Sequence, residues 1–327
     1  MKILVTGGAG FIGGHLVSSL LDDGHDVHII DDMSTGSVHN IDPRIPFANK
    51  HLRDLNTDLF DRELANIMLD CDIVFHLAAV VGVKNVMKNS IRTMNVNHGT
   101  TKRILEAAYC TGTKVIFTSS SEVYGCDNTE PLVENQPLVI KDINKKRHTY
   151  ACSKVLNEFM ALSYYKERGV PVVVVRLFNT VGPRQSPSYG MVVPSFVKNT
   201  MNDEPLTVHG DGSQQRSFIH VHDTVRALRL LAESENAVGE VVNIGNPDNE
   251  ISIRDLADYV GYFYKDTYEV QFVPYDRAFD IQEFDDIKRR VPDVSKLTKL
   301  TGFKPEHGLY RIVYDCFEEQ FGGIRNA

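Results

Sequence analysis

Tyr150 and Lys154 stand four residues apart in Thr149-Tyr150-Ala151-Cys152-Ser153-Lys154. On a helix such a pair shares one face, about a turn apart. A lysine ammonium held there stabilises phenolate, which predicts a tyrosine pKa lowered from roughly 10 towards neutrality. Such a tyrosine can take the proton of a sugar hydroxyl while hydride leaves the same carbon. The bare spacing also describes a solvated lysine beside a half-buried tyrosine. It becomes chemistry only if the chain supplies a hydride acceptor and a cradle for the substrate.

The acceptor has a place at the start of the chain. Ile3-Leu4-Val5-Thr6 reads as a buried parallel strand, and Gly7-Gly8-Ala9-Gly10-Phe11-Ile12-Gly13 follows at once, ahead of an amphipathic helix running to about Asp23. Gly7, Gly10 and Gly13 allow a tight turn and let backbone amides approach a pyrophosphate at the helix N-terminus. A second strand, Asp26 to Ile30, ends at Asp31 and Asp32, with Asp31 18 residues beyond Gly13. That spacing suits a carboxylate holding the adenosine ribose. Two carboxylates with no neighbouring arginine predict NAD over NADP, although Asp32 also reads as a turn residue. Asp54 and Leu55 can line the adenine after a third strand.

Asp72 to Ala79 reads as a fourth strand whose small residues let a cofactor approach, with His76 structural. Met94 to Thr111 reads as a helix and Lys114 to Thr118 as a fifth strand. Strands alternating with helices predict right-handed crossovers and an α/β fold, a Rossmann-type doubly wound parallel sheet. In such sheets chemistry sits at the carboxyl ends of the strands, which places Ser120, Ser121 and Glu122 there. A turn explains the serines but not the glutamate.

The chain has 327 residues, 42% of them apolar, and a net charge of −8. Length predicts about two domains. The acidic balance and the absence of basic runs argue against nucleic acid. Five scattered cysteines with no Cys-x-x-Cys pair predict neither a disulfide framework nor a zinc site, and no metal is expected. With no signal peptide or bilayer-length apolar run, the expectation is a cytoplasmic protein away from membranes.

In the second half, Val172 to Phe178 reads as a buried strand and Asn179 to Arg184 as its loop, where Asn179 can offer an amide to a phosphate or sugar. Tyr189 to Met201 becomes a helix. Leu206 to His209 reads as an edge strand. Gly210 to Arg216 reads as a turn ending in an arginine, and Arg216 is a candidate for a pyrophosphate, since guanidinium binds phosphate oxygens bidentately. Val241 to Ile244 reads as a returning strand and Ser252 to Tyr264 as a capped helix. Glu283 to Asp293 carries the mixed charge of a solvated loop or helix.

Taken together, Thr6 to Gly13, His76-Leu77-Ala78-Ala79, Ser119 to Gly125, Tyr150 to Lys154, Arg176-Leu177-Phe178-Asn179 with Gly182-Pro183, and Gly210 to Asp223 occur in an order that resembles the extended short-chain dehydrogenase/reductases of the nucleotide-sugar epimerase, dehydratase and decarboxylase group. The resemblance implies an NAD-binding domain over residues 1–178, with a return segment over 219–246, and a smaller C-terminal α/β sugar-nucleotide domain over 179–327. It implies Tyr150 as base, Lys154 as its activator and ribose ligand, and Ser120 bonding the sugar O4. Gly7, Gly10, Phe11, Ile12, Gly13, Asp31, Asp54, Leu55, Leu77, Ala78 and Ala79 would hold NAD together with Tyr150 and Lys154. Asn179, Val193, His209, Gln214, Arg216 and Arg290 would bind a UDP-sugar. His209 stands where a ring often stacks on uracil, but reads equally as an exposed edge-strand histidine.

The resemblance also implies a homodimer through the helices of Met94 to Thr111 and Tyr150 to Arg168. Val155, Phe159 and Leu162 fit that face or the chain's own core equally.

All reactions of the group begin with oxidation at C4. A C6 carboxylate then leaves readily as carbon dioxide from the β-keto acid. A C6 hydroxyl leads to 4-epimerisation, and an acid–base pair at C5 and C6 leads to a 4,6-dehydratase. Glu122 and Arg290 resemble the UDP-glucuronate decarboxylases, which form UDP-xylose. Ser121, standing where the dehydratases carry Asp, weakens that alternative, while Tyr150-Ala151-Cys152-Ser153-Lys154 is nearer the UDP-glucose or UDP-uronate 4-epimerase form. An NAD-binding sensor without catalysis would be expected to lack Tyr150 or Lys154.

Overall fold

A computed structural model of the chain describes residues 1–52, 54, 55, 61–125, 130–275, 277 and 286–325. β1 (Lys2–Thr6) feeds the glycine turn and α1 (Phe11–Asp22). β2 (Asp26–Ile30), β3 (Lys50–His51), α2 (Asp61–Leu69), β4 (Ile73–His76), α3 (Val83–Lys88), α4 (Ser90–Thr111), β5 (Lys114–Ser120), α5 (His148–Arg168) and β6 (Val172–Leu177) follow. Next come β7 (Asn179–Val181), α6 (Val192–Met201), β8 (Leu206–His209), β9 (Gln215–His220), α7 (Val221–Glu233) and β10 (Val241–Ile244). β11 (Glu250–Ser252), α8 (Ile253–Tyr264), β12 (Val270–Val273), β13 (Arg289–Arg290), α9 (Ser295–Thr301) and α10 (Leu309–Arg325) close the order.

The main sheet is parallel throughout, in the order β10-β6-β5-β4-β1-β2-β3. Side chains alternate between its faces. Ile3 and Val5 pack with Leu16 and Leu228 on one side, and Leu4 packs with Val74, Ile104, Phe117 and Ala161 on the other. Burial on both faces is why these strands are nearly all apolar. The strand order reverses between β1 and β4, and a crevice opens there at the carboxyl ends.

A smaller sheet is built around β9, flanked by β11 and β13 and joined by β7, while β8 pairs with β12. Its core gathers Val193, Phe196, Val208, Phe218, Leu256, Ile312 and Phe317. Ser252 caps α8 by accepting from the Asp255 amide, as its sequence predicts.

Two expectations change. Arg216 does not end a turn: it lies inside β9, opposite Ile251 of β11 and Arg290 of β13, and is only 7% exposed. The charged stretch expected as a solvated loop or helix supplies strand β13 instead, because its backbone finds a partner in β9. Residues 283–285 of that stretch lie outside the described residues. No described helix is long and apolar enough to cross a membrane.

Candidate active site

A cavity of about 920 Å³ runs from the glycine turn to Arg216. At its first end Gly7 adopts the left-handed region, φ +73, and a Cβ there would meet the Ala78 amide nitrogen at 3.0 Å. A Cβ on Gly13 would stand 2.0 Å from the Gly7 carbonyl oxygen. Only glycine lets the helix start lie this close to the strands. α1 has no side-chain cap at Gly10, so the first amides of the helix, at Phe11, Ile12 and Gly13 on the cavity wall, keep their donors for an anion.

Asp31 accepts the Ala9 amide at 3.0 Å and the Met33 amide at 2.8 Å, pinning the turn to the end of β2. Burial raises its carboxyl pKa and those two amides oppose the rise. Asp54, Leu55, Leu77, Ala78 and Ala79 line the same end. Asp32 is a turn residue, accepting from Ser34 at 2.9 Å. It does have an arginine neighbour: Arg92, carried in by α4, lies 3.5 Å away. The sequence reading missed this because 60 residues separate the pair.

At the middle of the cavity α5 presents Tyr150 and Lys154, and the end of β5 presents Ser120, Ser121 and Glu122. The expected low tyrosine pKa is not found. Burial and the Glu122 carboxylate push the Tyr150 phenol above its ordinary value, while Ser120 and Arg290 oppose them. Lys154 is itself buried, which lowers its pKa to about 8. Its Nζ donates to the Thr118 carbonyl at 2.8 Å and stands 5.9 Å from the Tyr150 ring centre. Desolvation therefore outweighs the local ammonium, which the i, i+4 spacing does not convey.

Arg290 and Glu122 come from positions 168 residues apart and meet at 3.4 Å on the cavity wall. Asn179 orients the guanidinium, accepting from Arg290 at 2.7 Å and donating its own amide to the Ser217 carbonyl at 2.8 Å. It thus holds Arg290 in place. The buried Arg290 Nε has no hydrogen-bond partner. The residue as a whole lines the cavity, so its positive charge stands beside the space open to an anion.

The far end gathers Val193, His209, Gln214 and Arg216. Gln214 donates to the His209 carbonyl at 3.2 Å and to Tyr275 at 3.1 Å. Arg216 is not solvated: it donates to Asp286 at 2.8 Å and to the Ile287 carbonyl at 2.7 Å. Burial, with Arg290 alongside, brings its pKa down to about 10.

Arg147, Asp286 and Tyr275 also line the cavity and were missed. Arg147 is the residue just before α5, three positions ahead of Tyr150, a signal that was available; it donates to Asp286 at 3.0 Å. His76 is structural as read, bonded to Thr6 at 2.8 Å and Thr101 at 3.1 Å.

Away from the cavity, His220, His222 and His307 bring ring nitrogens within 4.8 Å of one another. Cysteine counting could not show this group. His220 Nδ1 accepts the His222 amide at 3.1 Å, and its buried Nε2 lies 3.2 Å from Asp315 without making a hydrogen bond.

Residues 3–245 match the model of the NAD dependent epimerase/dehydratase family. The UDP-N-acetyl-alpha-D-glucosaminuronate decarboxylase of Bacillus cytotoxicus is 38% identical over 320 residues, covering 95% of this chain and 96% of that one. UDP-glucuronic acid decarboxylase 1 of Danio rerio is 34% identical over 316 residues, covering 95% of this chain and 72% of that one. The crystal structure of UDP-glucuronic acid 4-epimerase from Bacillus cereus, in complex with UDP-glucuronic acid and NAD, superposes with a TM-score of 0.84 at 28% identity, covering 98% and 99%.

Proposed function

The chain belongs to the NAD-dependent epimerase/dehydratase family, and we propose that its reaction is the decarboxylation of a UDP-linked hexuronic acid through a 4-keto intermediate. The observation that carries this reading is the Glu122–Arg290 pair on the cavity wall that also presents Tyr150. The names of the Bacillus cytotoxicus and Danio rerio relatives support it.

The glycine turn, Asp31, Asp54, Leu55, Leu77 to Ala79, Tyr150 and Lys154 would hold NAD, and the orphaned helix amides and the glycine-only approach fit it. NAD, when bound, supplies a hydride acceptor for C4 and, in its oxidised form, a positively charged ring. Tyr150 takes the O4 proton with Ser120 as its hydrogen-bond partner. Arg290 draws the C6 carboxylate to the wall. The 4-keto uronate is a β-keto acid, so the C5–C6 bond breaks with its electron pair moving towards O4, where Ser120 and the protonated Tyr150 stabilise the enolate. Glu122 places a proton at C5. Arg216, Gln214, His209 and Val193 would hold the nucleotide. In this division residues 1–178 and 219–246 serve the cofactor, and 179–327 otherwise serve the sugar nucleotide.

A second reading, 4-epimerisation of the same uronate, is favoured by the Bacillus cereus structure. NMR of products from UDP-glucuronate, UDP-N-acetylglucosaminuronate and UDP-glucose separates the two. Carbon dioxide with a UDP-pentose supports decarboxylation, and a C4 epimer retaining C6 overturns it.

The reading extends to a homodimer. α4 and α5 expose Ile91, Met94, Leu156 and Phe159, the last by 67%, while Val155 and Leu162 turn towards the chain's own core. Analytical ultracentrifugation with Phe159→Asp tests this face. The described cysteines are free thiols, which fits a reducing cytoplasmic compartment.

A further inference from the structure

Decarboxylation consumes a proton. When carbon dioxide leaves, C5 keeps the electron pair as an enolate and must be protonated before the sugar can be completed. Asp31, Asp32, Asp54, Glu122 and Asp286 line the main cavity among the described residues, and Glu122 is the one whose charge bears on Tyr150 and whose amide bonds Ser120, so it is the carboxyl placed for this step and has to be recharged on every turnover.

Behind Glu122 lies a second, much smaller compartment of about 10 Å³. That volume is about what one water requires, provided two to four polar partners are present. Its lining supplies them: Glu122, Lys141, Arg147 and His148, closed by Gly125 and Ala151. Among the described residues, Glu122 and Arg147 line both this compartment and the main cavity, so together they form the partition. Arg147 is fixed by its 3.0 Å bond to Asp286 and Glu122 is anchored by its amide bond to Ser120 at 3.2 Å. His148 opens α5 and is 9% exposed, while Lys141, on the same lining, is exposed to solvent.

We propose that this compartment is a proton-delivery route to C5, in which one water links Glu122 to His148. The proposal rests on the decarboxylase reading above. In the step itself the Glu122 carboxyl gives its proton to C5, forming the C–H bond, and becomes a carboxylate. The compartment water protonates that carboxylate and is restored through His148, which passes on a proton taken from bulk solvent. The balance is one solvent proton in and one carbon dioxide out. His148 acts through Glu122 and is a positioning and relay residue; it does not touch the substrate.

The test begins with the wild type in D2O and a UDP-uronate. If no carbon dioxide is released, the function reading fails, which is a different result from failure of the route. With decarboxylation established, His148→Gln and His148→Ala are compared. Gln keeps a hydrogen-bonding side chain but cannot carry a proton. The route predicts that both variants lose at least about tenfold in kcat with KM within about twofold. It also predicts a larger solvent isotope effect and loss of the one-sided deuterium label at C5 seen by NMR. NAD content and Tm serve as fold controls. A Gln variant matching the wild type in rate, isotope effect and label overturns the relay and leaves His148 structural. Retention of a one-sided label at wild-type rate in both variants overturns the compartment as the route.

Discussion

Two arginine–glutamate pairs, one buried and one half-buried on the cavity wall, behave differently in this molecule. Arg176 meets Glu158 through two bonds, 2.9 and 2.7 Å, gives a third to the Glu134 carbonyl at 3.1 Å, and lies 4.8 Å over the Tyr124 ring. Both side chains are 5% exposed. Arg290 meets Glu122 through one bond at 3.4 Å, leaves Nε without a partner, and faces the cavity. The first pair has satisfied its donors internally and holds α5 to β6. The second is held by a single long bond to its glutamate and lines the space open to a ligand. Complete satisfaction marks structure, and incomplete satisfaction beside a cavity marks a site.

The sharpest way to break this contrast is to remove each arginine. Arg176→Ala leaves Glu158 buried and unpaired and should cost roughly 3–5 kcal/mol of stability, measured by denaturant unfolding. A loss under about 1 kcal/mol would erase the distinction. Tyr150→Phe, on the site side, should cut kcat roughly 10²–10⁴-fold with Tm and NAD binding unchanged; near-normal turnover would remove Tyr150 as base. Arg290→Ala should lower kcat about 10²–10³-fold, the scale for one preorganised donor, with stability nearly intact. A large drop in Tm would move Arg290 to the structural class.

Arg216 is intermediate, engaged with Asp286 yet lining the cavity. Arg216→Ala should raise the substrate KM about 10- to 100-fold, the range for hydrogen bonds to charged groups, and leave NAD affinity nearly unchanged. Equal losses of substrate and NAD binding would make it a structural arginine.

The smallest effect concerns groups that should stay uncharged. Burial lowers His15 and His220 to about 4 and His76 to about 3, against an ordinary value of 6.5. Between those values the unfolded chain binds more protons than the folded one, so stability should fall as pH drops from about 6.5 towards 4. Thermal unfolding across that window should show a declining Tm that His220→Gln makes shallower.

Much of the cofactor end was legible in the chain. The turn from Gly7 to Gly13 is contiguous, and the carboxylate that completes it ends the next strand, so spacing alone locates them. Strand β10 and the cap of α8 were read for the same reason: local patterns report local bonds. The Tyr150 pKa was misread because four-residue spacing reports a neighbour but not the desolvation imposed by elements packed around it. Asp32 seemed free of arginine because Arg92 approaches only through α4.

The sequence by itself determined the glycine turn and the Tyr150–Lys154 helix face, which depend on interactions reaching one or two turns along the chain, and the doubly wound sheet, which follows from the alternation of strands with helices and the right-handed crossover. Only the tertiary structure decided how Glu122 is partnered. Arg290 reaches it because β13 pairs with β9 and Asn179 at the start of β7 holds the guanidinium, although Arg290 stands 111 residues from Asn179 and 168 from Glu122. No spacing rule encodes that meeting. It arises when two sheets share the wall of one cavity, and in the proposed reaction it sets the chemistry open to the sugar after Tyr150 has acted.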